Sequence, residues 1–472
     1  MATINLIKLF MMKNIYLLIL LSFPAFISCD QDEFLDKQPY DLITEENIFT
    51  DLKSFESVAN GTYNIFQDTY YYNSYFVMLS DLMSDNIQAT STIFVAPDKY
   101  DIKADNLESL RVWGKISALI THTSIIIREA ENFNFGADQD AANKIIGQLY
   151  VARSLAYFDM QRMFAQPYNF TSDASHLGAT LVDEDLIGME IISPARATTA
   201  QVYAKITSDI EKGIGLIGDD TSSAYFLNKN SAKALLARVN LYMENWQEAY
   251  DLATEVIGSG YSLVSNASYV ASWALTSTTE SIFSIRNTAT DNAATSSMIY
   301  YYGFPRFAAT TDLYASLVTG DARKTLVSSA RKVLKYPAYT TRDNSIPVIR
   351  LSEMYLIQAE ALAELGGATN ETNARIALNT ILLRAHPAAT PYSESGDALK
   401  GAVQNERRKE LMFEGHRLFD LTRKKKSFVK YSTSVGTPIA ISYPSNFTIL
   451  PIPQDEIDAN ENINAEHQNA GY

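Results

Sequence analysis

Two runs of three tyrosines, Tyr70-Tyr71-Tyr72 and Tyr300-Tyr301-Tyr302, are the residues whose type and spacing point most directly to ligand chemistry. On a helix successive side chains fan out by about 100°, and on a strand they alternate, so one buried face can hardly take all three rings. Some ring in each run is therefore expected to meet solvent or a ligand. A tyrosine has an apolar face and a polar tip, which suits stacking on the C–H face of a sugar while nearby amides, carboxylates and guanidiniums satisfy the hydroxyls. Asp85, Asn86, Asn287, Asn292 and Arg306 are suitably polar neighbours in sequence, and Phe94 and Tyr100 follow Asp85 in the same loop. The ligand-contacting candidates are Tyr71, Tyr72, Asp85, Asn86, Phe94, Tyr100, Tyr300, Tyr301, Tyr302 and Arg306. The competing reading for each ring is packing beneath its own loop, because tyrosine is often largely buried.

Signals for catalysis are poor. Gly213-Ile214-Gly215-Leu216-Ile217-Gly218 matches a dinucleotide-binding pattern in spelling, but it ends a helical stretch instead of following a strand, and Asp219-Asp220 would repel a phosphate. His122, His176, His386, His416 and His467 are scattered without metal-ligand spacing. A nucleophile elbow is lacking. Asp81 and Asp85 form a carboxylate pair of the kind glycoside hydrolysis uses, but among 54 Asp and Glu such pairs arise by chance. No catalytic residue, metal site or cofactor is assigned.

The N-terminus reads as a secretory signal: Lys8 and Lys13, the apolar run Ile15–Leu21, then Phe26-Ile27-Ser28 before Cys29. Met11 or Met12 would serve equally as a start. The stretch is broken by Ser22 and Pro24 and falls short of the ~20 apolar residues of a spanning helix. Cys29 is the single cysteine and is followed by the acidic run Asp30-Gln31-Asp32-Glu33, so it is expected to carry lipid and not to fill a core. Residues 1–28 are expected to be the lipoprotein signal peptide and 29–472 one domain. The net charge of -15 argues against a nucleic-acid partner.

These residues need elements to position them, and helical periodicity dominates. Apolar stripes run through Ala232–Met243, Ala249–Ile257 and Val202–Ile214, the last preceded by Thr198 and Thr199 as caps. Further helices are expected over Ala141–Phe164, Ser352–Leu365, Ala374–Ala385 and Leu399–Arg423, the last turning near Gly415. Small residues at Ala237, Ala249 and Ala253 allow close helix approach, in a layout like a tetratricopeptide pair. Strands are few and short, with Ser281–Ile285 and Thr448–Leu450 as examples, and Trp113, Trp246 and Trp273 read as core. Long polar stretches (84–107, 166–200, 262–302 and 426–447) read as irregular loops of the kind that carry function. The fold class is mostly all-α: tetratricopeptide-like helix pairs with long irregular loops carrying a few short strands.

Three stretches carry a family resemblance: Arg350-Leu351-Ser352-Glu353-Met354-Tyr355-Leu356-Ile357-Gln358-Ala359-Glu360-Ala361, Glu406-Arg407-Arg408-Lys409-Glu410-Leu411-Met412-Phe413-Glu414-Gly415-His416-Arg417-Leu418-Phe419-Asp420-Leu421, and the ending from Leu450-Pro451-Ile452-Pro453 to Gly471-Tyr472. In this order they resemble the SusD/RagB family of Bacteroidetes outer-membrane lipoproteins. Phe34-Leu35-Asp36 and Ala59-Asn60-Gly61-Thr62-Tyr63, on the first helix, agree with it. Lys424-Lys425-Lys426, Ala470 and Glu461 depart from the usual pattern and mark a divergent member. The resemblance implies a SusD-like helical scaffold and a non-catalytic lipoprotein facing the cell exterior. It further implies a glycan ligand and a SusC-like, TonB-dependent transporter as partner, with lipid on Cys29 as the membrane anchor. A RagB-like peptide ligand, a glycoside hydrolase and a scaffold without ligand contact are the alternatives. In physical terms Glu406, Arg407, Arg408, Glu410, Glu414 and Arg417 have the spacing of i, i+3 and i, i+4 ion pairs along a helix.

Overall fold

The computed structural model describes residues 48–472 apart from 183–192, 220–222, 305 and 434. Cys29, the signal stretch and the acidic run after it lie outside the described residues. The helices in chain order are α1 (Leu52–Phe66), α2 (Tyr75–Leu82), α3 (Val95–Lys99), α4 (Leu107–Asn132), α5 (Gln139–Phe164), α6 (Thr199–Ile217), α7 (Lys229–Tyr242), α8 (Trp246–Ile257), α9 (Asn266–Ser272), α10 (Met298–Gly303), α11 (Thr311–Ser316), α12 (Leu351–Leu365), α13 (Ala368–Ala385), α14 (Gly396–Glu410), α15 (Arg417–Arg423) and α16 (Gln454–Ala459). The strands are β1 (Ile87–Ala89), β2 (Leu177–Thr180), β3 (Arg196–Thr198), β4 (Ser281–Ile285), β5 (Phe307–Ala309), β6 (Ile346–Arg350), β7 (Phe428–Tyr431) and β8 (Pro438–Ile441). They pair antiparallel as β1–β5, β2–β3, β4–β6 and β7–β8, so each sheet among the described residues has two strands.

Local chemistry sets the helix starts. Reciprocal capping boxes open α1 (Asp51 with Ser54), α6 (Thr198 with Gln201) and α7 (Asn228 with Ser231). Helix α5 is buried on every side from Leu149 onward, packing against α4 and α6. Gly213, the first glycine of the dinucleotide-like pattern, has a packing role there. A Cβ on Gly213 would sit 2.8 Å from the Gly147 carbonyl oxygen, and one on Gly147 2.9 Å from that of Gly213. These glycines let α5 and α6 touch backbone to backbone.

The expected pairs form, α7 packing on α8 and α12 on α13, and in addition α8 packs on α12 and α12 on α14. Ala237, Ala249 and Ala253 are buried at the close approaches. Gly366 and Gly367, both at positive φ, make the turn between α12 and α13. A second, smaller core gathers there around Leu356, Leu378, Ile381, Leu399 and Val403.

Several expectations are corrected. Leu399–Arg423 is two helices, α14 and α15, broken where Phe413 and Gly415 take positive φ. A Cβ on Gly415 would press against Ser80 Oγ at 3.0 Å and Val77 Cα at 3.1 Å, so the break lets the backbone touch α2. Thr448–Leu450 is not a strand: Asn446–Thr448 is a 3₁₀ turn, and the Leu450 N–H donates to Met163 O (2.8 Å) at the end of α5. The long polar stretches carry regular elements, including the β7–β8 hairpin and the short helix α3. Of the three tryptophans, Trp113 is buried but Trp246 and Trp273 are half-buried.

The charge-rich motif is also wired differently from its spacing. Glu410 accepts from Arg350 (2.7 Å), Arg384 and Arg323 (3.3 Å); Glu414 takes Arg350 (2.8 Å) and Lys335 (2.6 Å); Glu406 takes Arg323 (2.7 Å). Arg407 reaches Asp420 (3.2 Å), and Arg423 binds Glu360 (2.5 Å). All are buried. Glu406–Lys409 (2.6 Å) is a within-helix pair of the expected kind. The rest join separate elements, because a buried charge needs partners wherever the fold supplies them.

Candidate functional site

The turn after α1 presents one ring of the first tyrosine run outward and the other two inward. The Tyr70 N–H donates to Asp68 Oδ1 (2.8 Å), and the Tyr71 N–H to Asp68 O (3.0 Å). Tyr71 and Tyr72 both donate their hydroxyls to Asp159 Oδ2, at 2.7 and 2.8 Å. Arg162 binds the other oxygen of Asp159 and lies between the rings of Phe158 (4.4 Å) and Phe419 (4.5 Å). Tyr70 stays half-buried beside Tyr75, the first residue of α2.

Helix α10 repeats the arrangement. The Met298 N–H donates to Asn73 O (2.7 Å), joining α10 to the first turn. The amides of Asn73 and Asn287 bond each other reciprocally (3.0 and 3.1 Å). Tyr302 points inward, donating to Asp81 Oδ2 (2.8 Å). Burial pushes the Asp81 carboxyl up to about 7, against the hydrogen bonds from Tyr302 and the Gly415 N–H. Tyr300 and Tyr301 remain half-buried at the surface. Gly303 is required here, since an added Cβ would collide with Tyr339.

The third wall is the segment around α3. Phe94 and Tyr100 flank it in left-handed conformations (φ 49° and 57°), which cost about 1 kcal/mol each. Three attachments hold it: Asp98 to Lys430 (3.1 Å), Asp98 to Ser432 Oγ (2.7 Å), and the Tyr100 hydroxyl to Met83 O. Asp98 and Lys430 are fully buried, and burial pushes the Lys430 ammonium down despite Asp98.

Together these pieces build a chain of rings: Tyr70–Tyr75 (centroids 5.1 Å apart), Tyr75–Phe94 (5.0 Å), Phe94–Tyr301 (6.0 Å), Tyr301–Tyr300 (6.2 Å) and Tyr300–Phe304 (5.4 Å). The Tyr300 and Phe304 planes are within 4° of parallel, and Phe304 is 45% exposed. Arg111 sits over Tyr70 at 5.0 Å and Arg306 over Phe304 at 5.4 Å. Burial raises the Tyr75 and Tyr301 phenols, and the guanidiniums of Arg111 and Arg306 act against it. Such a surface can stack on a flat apolar ligand face and donate hydrogen bonds at both ends.

Of the sequence candidates, Tyr300, Tyr301 and Arg306 come together at the surface of this arc, while Phe94 is buried beneath it between Tyr75 and Tyr301. The others are corrected. Tyr71, Tyr72 and Tyr302 are buried with their hydroxyls on internal carboxylates. Asn86 is buried, accepting from Arg408 Nε (2.9 Å). Asp85 is held by Arg417 in two bonds (2.7 and 2.8 Å); burial raises its carboxyl, but Arg417 and Arg408 outweigh this and hold it below the usual range. Tyr100 gives its hydroxyl to the backbone. Asn287 is consumed by the amide pair. Sequence reasoning missed Tyr75, Arg111 and Phe304 and left Tyr70 out of the candidates. Phe304 stands four residues beyond Tyr300, a readable helical spacing; nothing in the sequence marks Arg111.

Hollows also lie elsewhere, among them one of about 690 Å³ beside Leu263 and Ser268. Another of about 400 Å³ lies between α1 and α5, beside Asn60 and Tyr63. A groove of about 900 Å³ is lined by Asp85, Arg417, Lys400 and Glu364, whose charges satisfy one another through Arg417–Asp85 and Lys400–Glu364 (2.7 Å). Among the described residues no cluster of three or more His, Cys, Asp or Glu is placed to hold a metal, and no helix is long and apolar enough to cross a membrane.

The fold is thus a tetratricopeptide-like helical scaffold that displays a ring-lined surface. Residues 286–472 match the model of the SusD family, and residues 33–241 match one described as starch-binding, associating with the outer membrane. The chain belongs to the SusD/RagB family. It is similar to SusD-like protein P2 of Formosa agariphila, with 23% identity over 93% of this chain and 96% of that protein. A SusD superfamily crystal structure from Bacteroides vulgatus superposes with a TM-score of 0.81 at 28% identity, covering 90% of this chain and all of the other. One from Bacteroides thetaiotaomicron gives 0.81 at 27%, covering 89% of this chain and all of the other.

Proposed function

We propose that this protein captures glycans at the outer surface of the outer membrane without cleaving them and hands them to a SusC-like, TonB-dependent transporter. The observation that carries the reading is the arc of rings running from Tyr70 to Phe304, exposed in part except at the buried Phe94, with a guanidinium at each end. Ring faces displayed on rigid supports suit sugar stacking, and the description of the family matched by residues 33–241 supports both the ligand class and the membrane. The carboxylate pair considered for hydrolysis, Asp81 and Asp85, is bound to internal partners, Asp81 to Tyr302 and Asp85 to Arg417. In this reading Cys29 is the lipid anchor, residues 1–28 are the signal peptide and the remainder is one domain.

Calorimetry on the soluble chain from Asp30 onward against a glycan panel tests the reading. Binding to at least one glycan, weakened by Tyr301→Ala with unchanged melting, is expected. Peptide binding with no glycan binding would overturn it, and release of reducing sugar would replace capture by hydrolysis. For the anchor, Cys29→Ala should abolish lipid labelling and surface retention while leaving glycan affinity intact.

A further inference from the structure

The fold matches most of its buried guanidiniums to carboxylates, as with Arg153 and Asp209 (2.7 Å), Arg238 and Glu353 (2.5 Å), and Arg423 and Glu360 (2.5 Å). Arg111 and Arg306 are different. Each lies over a ring at one end of the aromatic arc, and among the described residues neither has a carboxylate within ion-pair distance. We propose that these two guanidiniums select an acidic glycan, one bearing uronate carboxylates or sulfate esters, over a neutral one. This rests on the capture reading and names the substrate class for the same site.

The surrounding polar groups support it. A neutral sugar hydroxyl both donates and accepts, and is best served by mixed partners such as amides and carboxylates. Around the arc such groups are already engaged: Asn73 and Asn287 bond each other, Asn86 takes Arg408, and Asp68 pairs with Lys115 (2.9 Å). Glu108, one turn before Arg111 on α4, accepts from Asn106 Nδ2 (2.7 Å). What remains at the two ends is donor capacity. A guanidinium lying on a ring is weakly hydrated, and its planar fork fits a carboxylate or sulfate.

The net charge of -15 opposes a polyanion at long range. Beyond about 8 Å that repulsion is screened at physiological salt, so contact pairing decides the local preference.

The test is calorimetry on the soluble chain from Asp30 with three probes of equal length: oligogalacturonate, a sulfated galactan oligosaccharide and a neutral galactan oligosaccharide. At least one anionic probe is expected to bind about tenfold tighter than the neutral one. That advantage should shrink in high salt and vanish in the Arg111→Gln/Arg306→Gln double variant, whose melting temperature checks the fold. The two anionic arms tell carboxylate from sulfate recognition, and Tyr301→Ala should weaken every probe that binds. Equal or tighter neutral binding, unchanged in the double variant, overturns the acidic preference and leaves glycan capture standing. Failure of both anionic probes while a member of the wider glycan panel binds also overturns the acidic preference, whereas failure of the whole panel with binding to an acidic peptide overturns capture as well.

Discussion

Arginine and tyrosine do opposite work in two parts of this molecule. Beneath α14 the guanidiniums of Arg323, Arg350 and Arg384 converge on Glu410, buried and matched by acids from α14, the turn after it and Glu280 just before β4. At the arc from Tyr70 to Phe304, Arg111 and Arg306 lie on half-exposed rings without an acid partner among the described residues. The contrast teaches how to separate charge that specifies a fold from charge available to a ligand. The buried lattice is costly to break because each ion would be stranded. The surface cations remain solvated, and losing them costs the fold little.

The largest expected effect lies in the lattice. Glu410→Ala would leave three arginines facing a missing carboxylate and should cost about 3–5 kcal/mol in denaturant unfolding; a loss below about 1 kcal/mol would erase the contrast drawn above. At the arc, Tyr301→Ala should weaken glycan binding by about tenfold, measured by calorimetry, with melting nearly unchanged. A parallel loss of stability would show Tyr301 to be core.

The two regions also differ in their response to pH. Although burial opposes it, Arg238 holds Glu353 and Arg423 holds Glu360 at about 2, below their ordinary 4.5. Their stabilisation is present above pH 4.5 and is lost as the pH falls toward 2. Burial lowers His416 from 6.5 to about 4, so it too weakens the fold as pH falls through that window. Asp81, behind the arc, is shifted the other way, from 3.8 to about 7. Its contribution is full below pH 3.8 and is lost as pH rises through 7. Thermal melts of Asp81→Asn between pH 5 and 8 should be flatter than those of the unaltered chain, while both should fall together in acid. The smallest effect belongs to Tyr71→Phe. Tyr72 and Arg162 still satisfy Asp159, so the expected cost is about 1 kcal/mol or less, with unchanged ligand affinity.

Much of the scaffold was readable from residue order. The stripes through Val202–Ile214, Ala232–Met243 and Ser352–Leu365 lie on helices, and Thr198 caps α6. The turn expected near Gly415 is where α14 and α15 part, but the contact with α2 that requires it could not be read from the apolar spacing. The site was legible only in kind. Each tyrosine run does hold a ring at the surface, but which ring depends on where Asp159 and Asp81 stand. The sequence spacing of Glu406, Glu410 and Glu414 suggested helix-surface pairs, yet their partners come from as far away as Glu280's neighbours on β6 and α13.

What the sequence determined by itself was local: helical periodicity, caps, glycine turns and the presence of ring-rich segments, all set by neighbours within a few positions. Tertiary structure alone decided which rings of Tyr70–Tyr72 and Tyr300–Tyr302 were drawn inward by buried carboxylates. It also brought the two runs together through Phe94 and set Arg111 over Tyr70. Those inward choices depend on groups 87 to 221 residues apart, and periodicity carries no information about which distant acid a given hydroxyl or guanidinium will meet.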